Sequence, residues 1–314
     1  MTGVTRQRRR IAMIGLGEAG GLFAKGLHDS GLFDVAGYDA LLENPAGAPG
    51  VRAKIDSIGI TECPSLEQAC READLVFSAV TAIAASEVAA QASRYLGSGQ
   101  FFFDINSVSP SVKRSSAQVI ERSGAAYVEG AVMAPVGPSG IAVEILVAGA
   151  RAGELAALLR PAGMNLEVIA DTIGKASAIK MCRSSMIKGI EALVVECFVT
   201  ARAYGIEDAI VDSLNRSFPG TDWETRGAYM TGRVLQHGRR RAGELREVAT
   251  TVAEAGVAPR MAPAAAEVQD WVADRVAEMP ELQAATDHDW RTILDLLGTP
   301  KRARSSSPTA TTRS

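Results

Sequence analysis

Histidine and cysteine are scarce in this sequence, and neither is arranged as a metal site. The 314 residues include three histidines and four cysteines, the latter at positions 63, 70, 182 and 197. No CxxC pair occurs and no histidine lies at ligand spacing from a cysteine, which argues against bound zinc or another metal. We expect reduced thiols, most of them buried.

Long apolar runs and an excess of positive charge are also absent. No stretch approaches 18 apolar residues and no apolar segment follows the arginines near the N-terminus, so we expect a cytoplasmic protein without membrane contact. A formal net charge of −3 gives no overall field to attract nucleic acid. Basic clusters in polar surroundings predict disordered tails over 1–10 and 299–314.

The order of apolar runs predicts an α/β fold. Over 11–173, short strands alternate with helices, as in a Rossmann-type doubly wound parallel sheet covered on both faces. From 174 to 298 the pattern is helical, beginning with a long helix to about Tyr204. We predict a dinucleotide-binding domain over 11–173 and an all-α substrate and dimerisation domain over 174–298, joined by that helix. Within the latter, Gly238 is expected to separate two helices.

A glycine-rich turn follows the first predicted strand. The stretch GLGEAG at 15–20 has the form GxGxxG. Gly15 permits a tight turn, Gly17 lets the backbone approach a pyrophosphate, and Gly20 allows close packing of helix and strand. Free N–H groups and the dipole at the helix start favour an anion. The predicted dinucleotide contacts are Gly15, Leu16, Gly17, Glu18, Ala19 and Gly20.

An acidic residue closes the second predicted strand. Asp39 lies 19 residues after Gly20, where a carboxylate accepts from the adenosine ribose hydroxyls and repels a 2′-phosphate. This favours NAD over NADP. Arg52 and Lys54 keep NADP open as the alternative.

Polar residues follow the fourth and fifth predicted strands. Val80 and Thr81 end one strand, and Asn106 and Ser107 end the next. Ligands bind beyond the carboxyl ends of such strands, so we expect these residues in the cofactor crevice, with Asn106 and Ser107 also near the substrate. Ser109 is the expected cap of the following helix, which leaves Asn106 and Ser107 for ligand.

The long helix opens with GKASAIKMCRSSMIKG and carries a polar side. That side holds Ser177, Lys180, Arg183, Ser184, Lys188 and Glu191, and the opposite side holds Ile179, Cys182, Met186, Ile190 and Leu193. One interpretation is an amphipathic surface helix with a solvated polar face. The other is a buried helix whose charges have partners or a chemical role, because Val195 and Phe198 occupy the polar angle one turn later.

Four motifs in order resemble the β-hydroxyacid dehydrogenase family, which includes 3-hydroxyisobutyrate and 6-phosphogluconate dehydrogenases. GLGEAG resembles its dinucleotide loop, DINSVSP at 104–110 its substrate segment, EGAVMAPVG at 129–137 its DAPVSGG loop, and GKASAIK at 174–180 its catalytic motif. The resemblance spans about 11–200. The stretch HGRRRAGELREVA resembles a branch with a 6-phosphogluconate-dehydrogenase-like C-terminal domain.

The resemblance implies an NAD(P)-dependent oxidoreductase acting on CH–OH groups. Hydride would pass between a nicotinamide and a hydroxy acid or related alcohol, with Lys180 as general acid and base. A lysine on a buried helix near Arg183 and Lys188 has its charged form disfavoured, which suits proton transfer at neutral pH. The family also implies a homodimer through the α domain.

Two departures from the family pattern affect the substrate. The family usually has Asn where Ser184 stands, and Ser-Gly-Gly where Met133, Ala134 and Pro135 stand. Pro135 has no N–H and Met133 brings an apolar side chain, so the loop has fewer donors. We expect an anionic substrate bulkier than the usual ones.

Side chains elsewhere are candidates to replace the missing donors. They are Ser107, Ser139, Arg183, Lys188, His237 and Arg240 or Arg241. Lys188 would otherwise pair with Glu191, and 239–241 would otherwise be the solvated start of a helix.

Two other functions stay open at this point. Imine reduction fits the architecture, but related imine-reducing proteins generally have another residue at the position of Lys180. A non-catalytic dinucleotide-binding sensor or scaffold is kept open by Ser184 and the loop 133–135.

Overall fold

The computed structural model describes residues 8–284 and 289–298 of the chain. The strands are β1 Arg9–Ile14, β2 Phe33–Tyr38, β3 Thr61–Glu62, β4 Leu75–Ser78, β5 Phe101–Asp104, β6 Ala126–Val132, β7 Glu144–Ala148 and β8 Asn165–Ala170. The first seven helices are α1 Glu18–Asp29, α2 Ala48–Ile58, α3 Leu66–Glu72, α4 Ala82–Ala92, α5 Pro110–Arg122, α6 Val136–Ser139 and α7 Ala152–Leu159. The others are α8 Lys175–Tyr204, α9 Glu207–Ser217, α10 Trp223–Glu254, α11 Met261–Glu278, α12 Pro280–Ala284 and α13 Trp290–Gly298.

The strands form one sheet in the order β3-β2-β1-β4-β5-β6-β7-β8. The predicted fold class is confirmed, because strands alternate with helices up to β8 and the rest is helical. One pairing differs from the wholly parallel sheet that the sequence predicts: β7 runs antiparallel to β6. A parallel return needs a long crossover, and the connection 133–143 contains only α6 and a short 3-10 turn.

Apolar strands and one face of α1 form the core beneath the glycine loop between β1 and α1. In β1, residues 11–14 are at most 2% exposed, as expected for a strand covered on both faces. Phe23 of α1 stacks on Phe77 of β4, with ring centroids 5.6 Å apart. Burying an aromatic side chain of this size stabilises the fold by roughly 1.5–3 kcal/mol. This packing fixes α1 against the sheet and so fixes the loop that precedes it.

A single helix occupies the region where the sequence predicts two. Helix α10 continues through Gly238 because this glycine serves close packing rather than a break: a Cβ there would lie 2.6 Å from the main-chain oxygen of Gln269. Residues 239–241 are therefore in the middle of a helix and are not a solvated helix start. Helices α2, α6, α7 and α12 and the short β3 were not predicted from the sequence either.

The chain forms two compact units. The first contains the described residues up to Met186 together with Gly243–Pro263, and the second contains Ile187–Ala242 with the described residues from Ala264 onward. The domain bounds 11–173 and 174–298 stay a prediction. Arg9 and Arg10, expected in the N-terminal tail, are part of β1, whereas the other tail residues 1–7 and 299–314 lie outside the described residues.

The second unit has its own core and a buried ion pair. Val195, Val234 and Val272 belong to one apolar cluster of this unit. The buried Arg241 donates to the buried Glu191.

Among residues 8–284 and 289–298, no helix has the length and apolar composition needed to cross a membrane.

Candidate cofactor and active site

The glycine loop between β1 and α1 forms a concave backbone surface. Gly15 has φ of +87° and donates its N–H to the carbonyl of Tyr38 at 2.8 Å. A Cβ on Gly20 would overlap the carbonyl of Gly15, so this glycine permits closure of the loop itself as well as packing near Ala79. Apart from its two neighbours in the chain, no described residue lies within 4 Å of where a Cβ on Gly17 would be. The loop therefore leaves open the space in which a pyrophosphate fits.

Asp39 joins the end of β2 to the glycine loop. One carboxylate oxygen accepts the N–H of Leu16 at 2.8 Å and the other accepts that of Leu41 at 3.0 Å. Each oxygen keeps a second lone pair, so a ribose hydroxyl can still be bound. Of the two basic residues that keep NADP open, Arg52 pairs with Glu62 at 3.1 Å and Lys54 donates to the carbonyl of Gly17 at 2.6 Å.

The side chain of Asn106 braces the ends of two strands, and its contact with a ligand stays a prediction. Its oxygen accepts the N–H of Val80 at 2.7 Å, and its nitrogen donates to the hydroxyl of Ser78 at 3.0 Å. The side chain is buried, and a buried amide must be satisfied. Thr81 is exposed at the N-cap of α4, and Ser107 is partly buried.

A buried polar cluster holds the segment after β5. Asp104 accepts from the Lys113 amine at 2.7 Å and from the Tyr127 hydroxyl at 2.6 Å. Burial, followed by the carboxylates of Asp104 and Glu129, raises the pKa of Tyr127, so its phenol stays protonated and donates. Sequence reasoning missed Lys113, although its position on the same helix face as Ala117 and Ile120 indicated burial.

Two glutamates of α10 close the N-terminus of α5. Glu247 accepts the N–H of Ser109 at 2.9 Å, and Glu254 accepts that of Ser111 at 3.1 Å. Ser109 is the N-cap residue, as predicted. In this described segment, however, its hydroxyl does not cap the helix, because it contacts the hydroxyl of Ser111 at 3.2 Å. The glutamates were not foreseen as part of the site because more than 130 residues separate them from α5.

Lys180 reaches the segment that follows β5. Its amine lies 2.5 Å from the hydroxyl of Ser107, and both side chains are partly buried. Ser184, one turn further along α8, is buried. The structure therefore brings together Lys180 and Ser107, both of which are predicted to contact the substrate. They lie at the edge of the sheet where ligands of such folds bind.

A buried glutamate begins the same helix. Glu129 of β6 accepts the N–H groups of Gly174 and Ala176 at 2.7 and 3.0 Å, and the hydroxyl of Ser177 at 2.9 Å. These bonds fix the first turn of α8 to the sheet. Sequence reasoning assigned Glu129 no role, although a charge inside the apolar strand AAYVEGAVM requires partners.

The loop after β6 differs in donors from a phosphate- or carboxylate-binding loop. The N–H of Met133 is used by the carbonyl of Glu144 at 2.9 Å, and its side chain packs on an apolar cluster that includes Ala176. The carbonyl of Met133 accepts from Arg183 at 3.3 Å. Ala134 and Pro135 are exposed.

Residues 10–169 match the family model described as the NAD binding domain of 6-phosphogluconate dehydrogenase. This match spans just over half of the 314 residues. The chain belongs to this family. Residues 201–272 also match a domain of unknown function, DUF1932. The predicted family and the predicted binding of NAD(P) are thus confirmed.

Solved structures similar to this family member extend over nearly the whole chain. A conserved hypothetical protein from Sinorhizobium meliloti 1021 is 37% identical, with a TM-score of 0.75, over 93% of this chain and 97% of that one. MTH1747, described as a protein of unknown function with structural similarity to 3-hydroxyacid dehydrogenases, is 31% identical, with a TM-score of 0.68, over 84% and 97%. The 3-hydroxyisobutyrate dehydrogenase of Mycobacterium tuberculosis, solved with L-serine, is 19% identical, with a TM-score of 0.69, over 93% and 100%. At that identity the likeness shows the fold alone.

Helix α8 of this family member buries its polar side and exposes its apolar side, which is the reverse of an amphipathic surface helix. Its polar side is buried at Ser177, Ser184, Lys188 and Glu191. Its apolar side is exposed, with Ile179 at 45%, Met186 at 65% and Leu193 at 56%. The solvated polar face proposed from the sequence is therefore wrong. Cys182 and Cys197 are exposed too, so only Cys63 and Cys70 fit the expectation of buried thiols.

The candidates His237 and Arg240 lie in the second unit. They line a cavity of about 390 Å³ there, together with Gln236 and Arg239. Arg239 donates to Asp270. Ser139 is exposed at the end of α6 in the first unit.

Proposed function

We propose that this protein is an NAD(P)-dependent dehydrogenase that oxidises, or forms by reduction, a hydroxy acid or related alcohol. The observation that carries the proposal is the Lys180 amine 2.5 Å from the Ser107 hydroxyl, beyond the carboxyl end of β5. The family supplies an NAD-binding domain, and Lys180 supplies a group able to transfer a proton.

Cofactor selectivity is the first part of the proposal. The open space at Gly17 fits the pyrophosphate, and the lone pairs left on Asp39 suit the ribose hydroxyls. A 2′-phosphate would lie against the Asp39 carboxylate, which repels it. We therefore propose NAD as the preferred cofactor, with NADP bound more weakly.

Proton transfer is the task of Lys180. A nicotinamide bound at the glycine loop would supply the hydride-transfer chemistry. During oxidation the neutral Lys180 amine takes the proton from the substrate hydroxyl, and during reduction the ammonium group returns it. Ser107 fixes the amine through its hydroxyl and adds a second hydrogen-bonding group beside the reacting oxygen.

The substrate is proposed to be an anion with a larger apolar part. Met133 presents an apolar side chain where the family resemblance places a serine, and its N–H is already used by Glu144. Arg183 is exposed next to this loop and offers charge to a carboxylate. MTH1747, which is 31% identical and described as structurally similar to 3-hydroxyacid dehydrogenases, supports the chemical class.

We also propose a cytoplasmic homodimer that forms through the helical part. The exposed apolar side of α8 supports this proposal, since Met186 and Leu193 are more than half exposed. Sedimentation velocity of the wild type and of Met186→Glu tests it: the wild type should sediment as a dimer and the variant as a monomer.

A substrate screen tests the enzyme assignment. The wild type and Lys180→Ala are assayed with a panel of 3-hydroxy acids and related alcohols, with NAD and with NADP. Loss of the proton-transfer group should lower kcat by about a thousandfold while the cofactor dissociation constant stays unchanged. Lys175→Ala is the matched control, because Lys175 is exposed at the start of the same helix.

Two results would contradict the proposal. Tight NAD binding without turnover of any panel member would favour a dinucleotide-binding sensor. Turnover of imines but of no alcohol would favour imine reduction.

A further inference from the structure

A fully buried carboxylate lies at the start of the helix that carries Lys180. Glu129 is 0% exposed, and it is part of neither the cofactor loop nor the proposed substrate contacts. A charged side chain persists at such a depth only when donors and opposite charge compensate its desolvation. Its partners therefore indicate what it does.

Both carboxylate oxygens of Glu129 are used by α8. One accepts two main-chain N–H groups, from Gly174 and Ala176, and the other accepts the Ser177 hydroxyl, all within 3.0 Å. The first N–H groups of a helix have no partner inside the helix and carry its positive dipole end. Glu129 supplies both the acceptors and the negative charge that this helix end requires.

The neighbouring carboxylate on β5 has its own cation. Asp104 is paired in register with Glu129, so the two side chains point to the same face of the sheet. Lys113 lies 2.7 Å from Asp104 and balances its charge. Asp104 thus serves the segment that carries Ser107, and the charge of Glu129 remains directed at α8.

A second bond joins α8 to the same strand. Arg183 donates to the carbonyl of Met133, just beyond the end of β6. Ser177 lies three residues before Lys180 and Arg183 lies three residues after it. The turn that carries Lys180 is therefore held to β6 on both sides.

We propose that Glu129 is the positioning residue for Lys180. It fixes the first turn of α8 to β6, so that the Lys180 amine meets the substrate hydroxyl beside Ser107. This inference rests on the proposed function of Lys180. It adds that one strand sets the position of both the lysine and the loop 133–135.

The test compares Glu129→Gln, which keeps the shape, with Glu129→Ala, which removes the cap. Because a displacement of about 1 Å costs about a hundredfold in rate, we expect Glu129→Ala to lower kcat by about that factor and Glu129→Gln by about tenfold. Cofactor affinity and substrate KM should stay within about twofold, since Glu129 is fully buried and both of its oxygens bond the start of α8. Glu144→Gln on β7 is the matched control, because this glutamate is exposed on the adjacent strand.

Two readouts do not depend on turnover. Hydrogen exchange followed by mass spectrometry should show faster exchange over 174–180 in both Glu129 variants. The acetylation rate of Lys180, measured against that of the exposed Lys25 on α1 in the same sample, should also change. Both readouts should be unchanged in Glu144→Gln.

The proposal is overturned if kcat, exchange and labelling match the wild type in Glu129→Gln and Glu129→Ala. It is also overturned if the variants lose stability while the kcat of the folded protein is unchanged. If Glu129→Ala does not fold, Glu129→Gln decides. If the wild type oxidises no substrate, the proposed function fails, and exchange and labelling decide the role of Glu129 alone.

Discussion

Two helix N-termini in the first unit have a similar backbone but differ in the group that lies against them. Both α1 and α8 follow a strand and a positive-φ glycine, Gly15 in one case and Gly174 in the other. The N-terminus of α1 has Gly17 at its N-cap, with open space where a side chain would be. The N-terminus of α8 is closed by the carboxylate of Glu129.

The difference shows how one feature of helices serves two purposes. The positive end of a helix binds an anion, and the anion can come from a ligand or from the protein. At α1 the chain supplies none at the N-cap, and a pyrophosphate fits. At α8 the protein supplies its own carboxylate, and the helix becomes a rigid support for Lys180. Three predictions, in addition to those for Lys180, Met186 and Glu129, test this comparison.

The largest effect is expected when a carboxylate is placed at the N-terminus of α1, as Glu129 is at that of α8. Gly17→Asp places a carboxylate at the N-cap, where aspartate is a favourable residue. The free energy of unfolding should stay equal or rise by a few tenths of a kcal/mol, while the affinity for NADH falls by about a hundredfold. Thermal melting and a fluorescence titration with NADH measure the two quantities.

Gly17→Asn separates charge from bulk in this experiment. The amide has the shape of the carboxylate but not its charge, so its affinity for NADH should lie between those of the wild type and Gly17→Asp. Equal losses in both variants would show that bulk alone blocks the loop.

A smaller effect is expected at the ribose end of the cofactor loop. Asp39→Ala removes the charge that repels a 2′-phosphate, so the preference for NAD over NADP in kcat/KM should fall by about tenfold. Affinity for both cofactors should also fall, because the N–H groups of Leu16 and Leu41 lose their acceptor. A wild type that already prefers NADPH would contradict the assignment of Asp39.

The smallest effect is expected at α5, which is closed by glutamates from another helix. Ser109→Ala should change the free energy of unfolding by less than about 0.5 kcal/mol, because Glu247 and not the serine hydroxyl satisfies this helix end. Ser65→Ala is the control, since the Ser65 hydroxyl accepts the N–H of Gln68 at the start of α3. It should cost about 1 kcal/mol in urea unfolding. Equal losses would show that the Ser109 hydroxyl is also needed.

Local patterns predicted β1, β2 and β4 to β8, but not α2, α6, α7 or the short β3. The glycine loop, the end of β2 at Asp39 and the strand ends at Val80 and Asn106 are all set by short apolar runs and adjacent turn residues. The antiparallel β7 escaped prediction because an apolar strand has no local signal for its direction. Helix α10 was divided at Gly238 because the reason for that glycine, the backbone of Gln269, lies on another helix.

The sequence identified the candidate site residues Lys180 and Ser107, but not the residues that support them. Lys180 and Ser107 belong to motifs, and the structure brings their side chains together. Asn106 was predicted to face ligand because nothing local shows that Val80 and Ser78 are its partners. The polarity of α8 was predicted wrongly because a periodic pattern shows which residues share a side of a helix but not which side meets the protein.

The division of α10 between the units has a consequence for the order in which the protein is made. Residues from Gly243 to its end belong to the first unit, and they include the two glutamates that bond the start of α5. During synthesis, the nascent first unit therefore lacks both glutamates until translation has passed Glu254, which is 84 residues beyond the end of β8 at Ala170. A fragment ending at Met186 would leave the N–H groups of Ser109 and Ser111 without these acceptors.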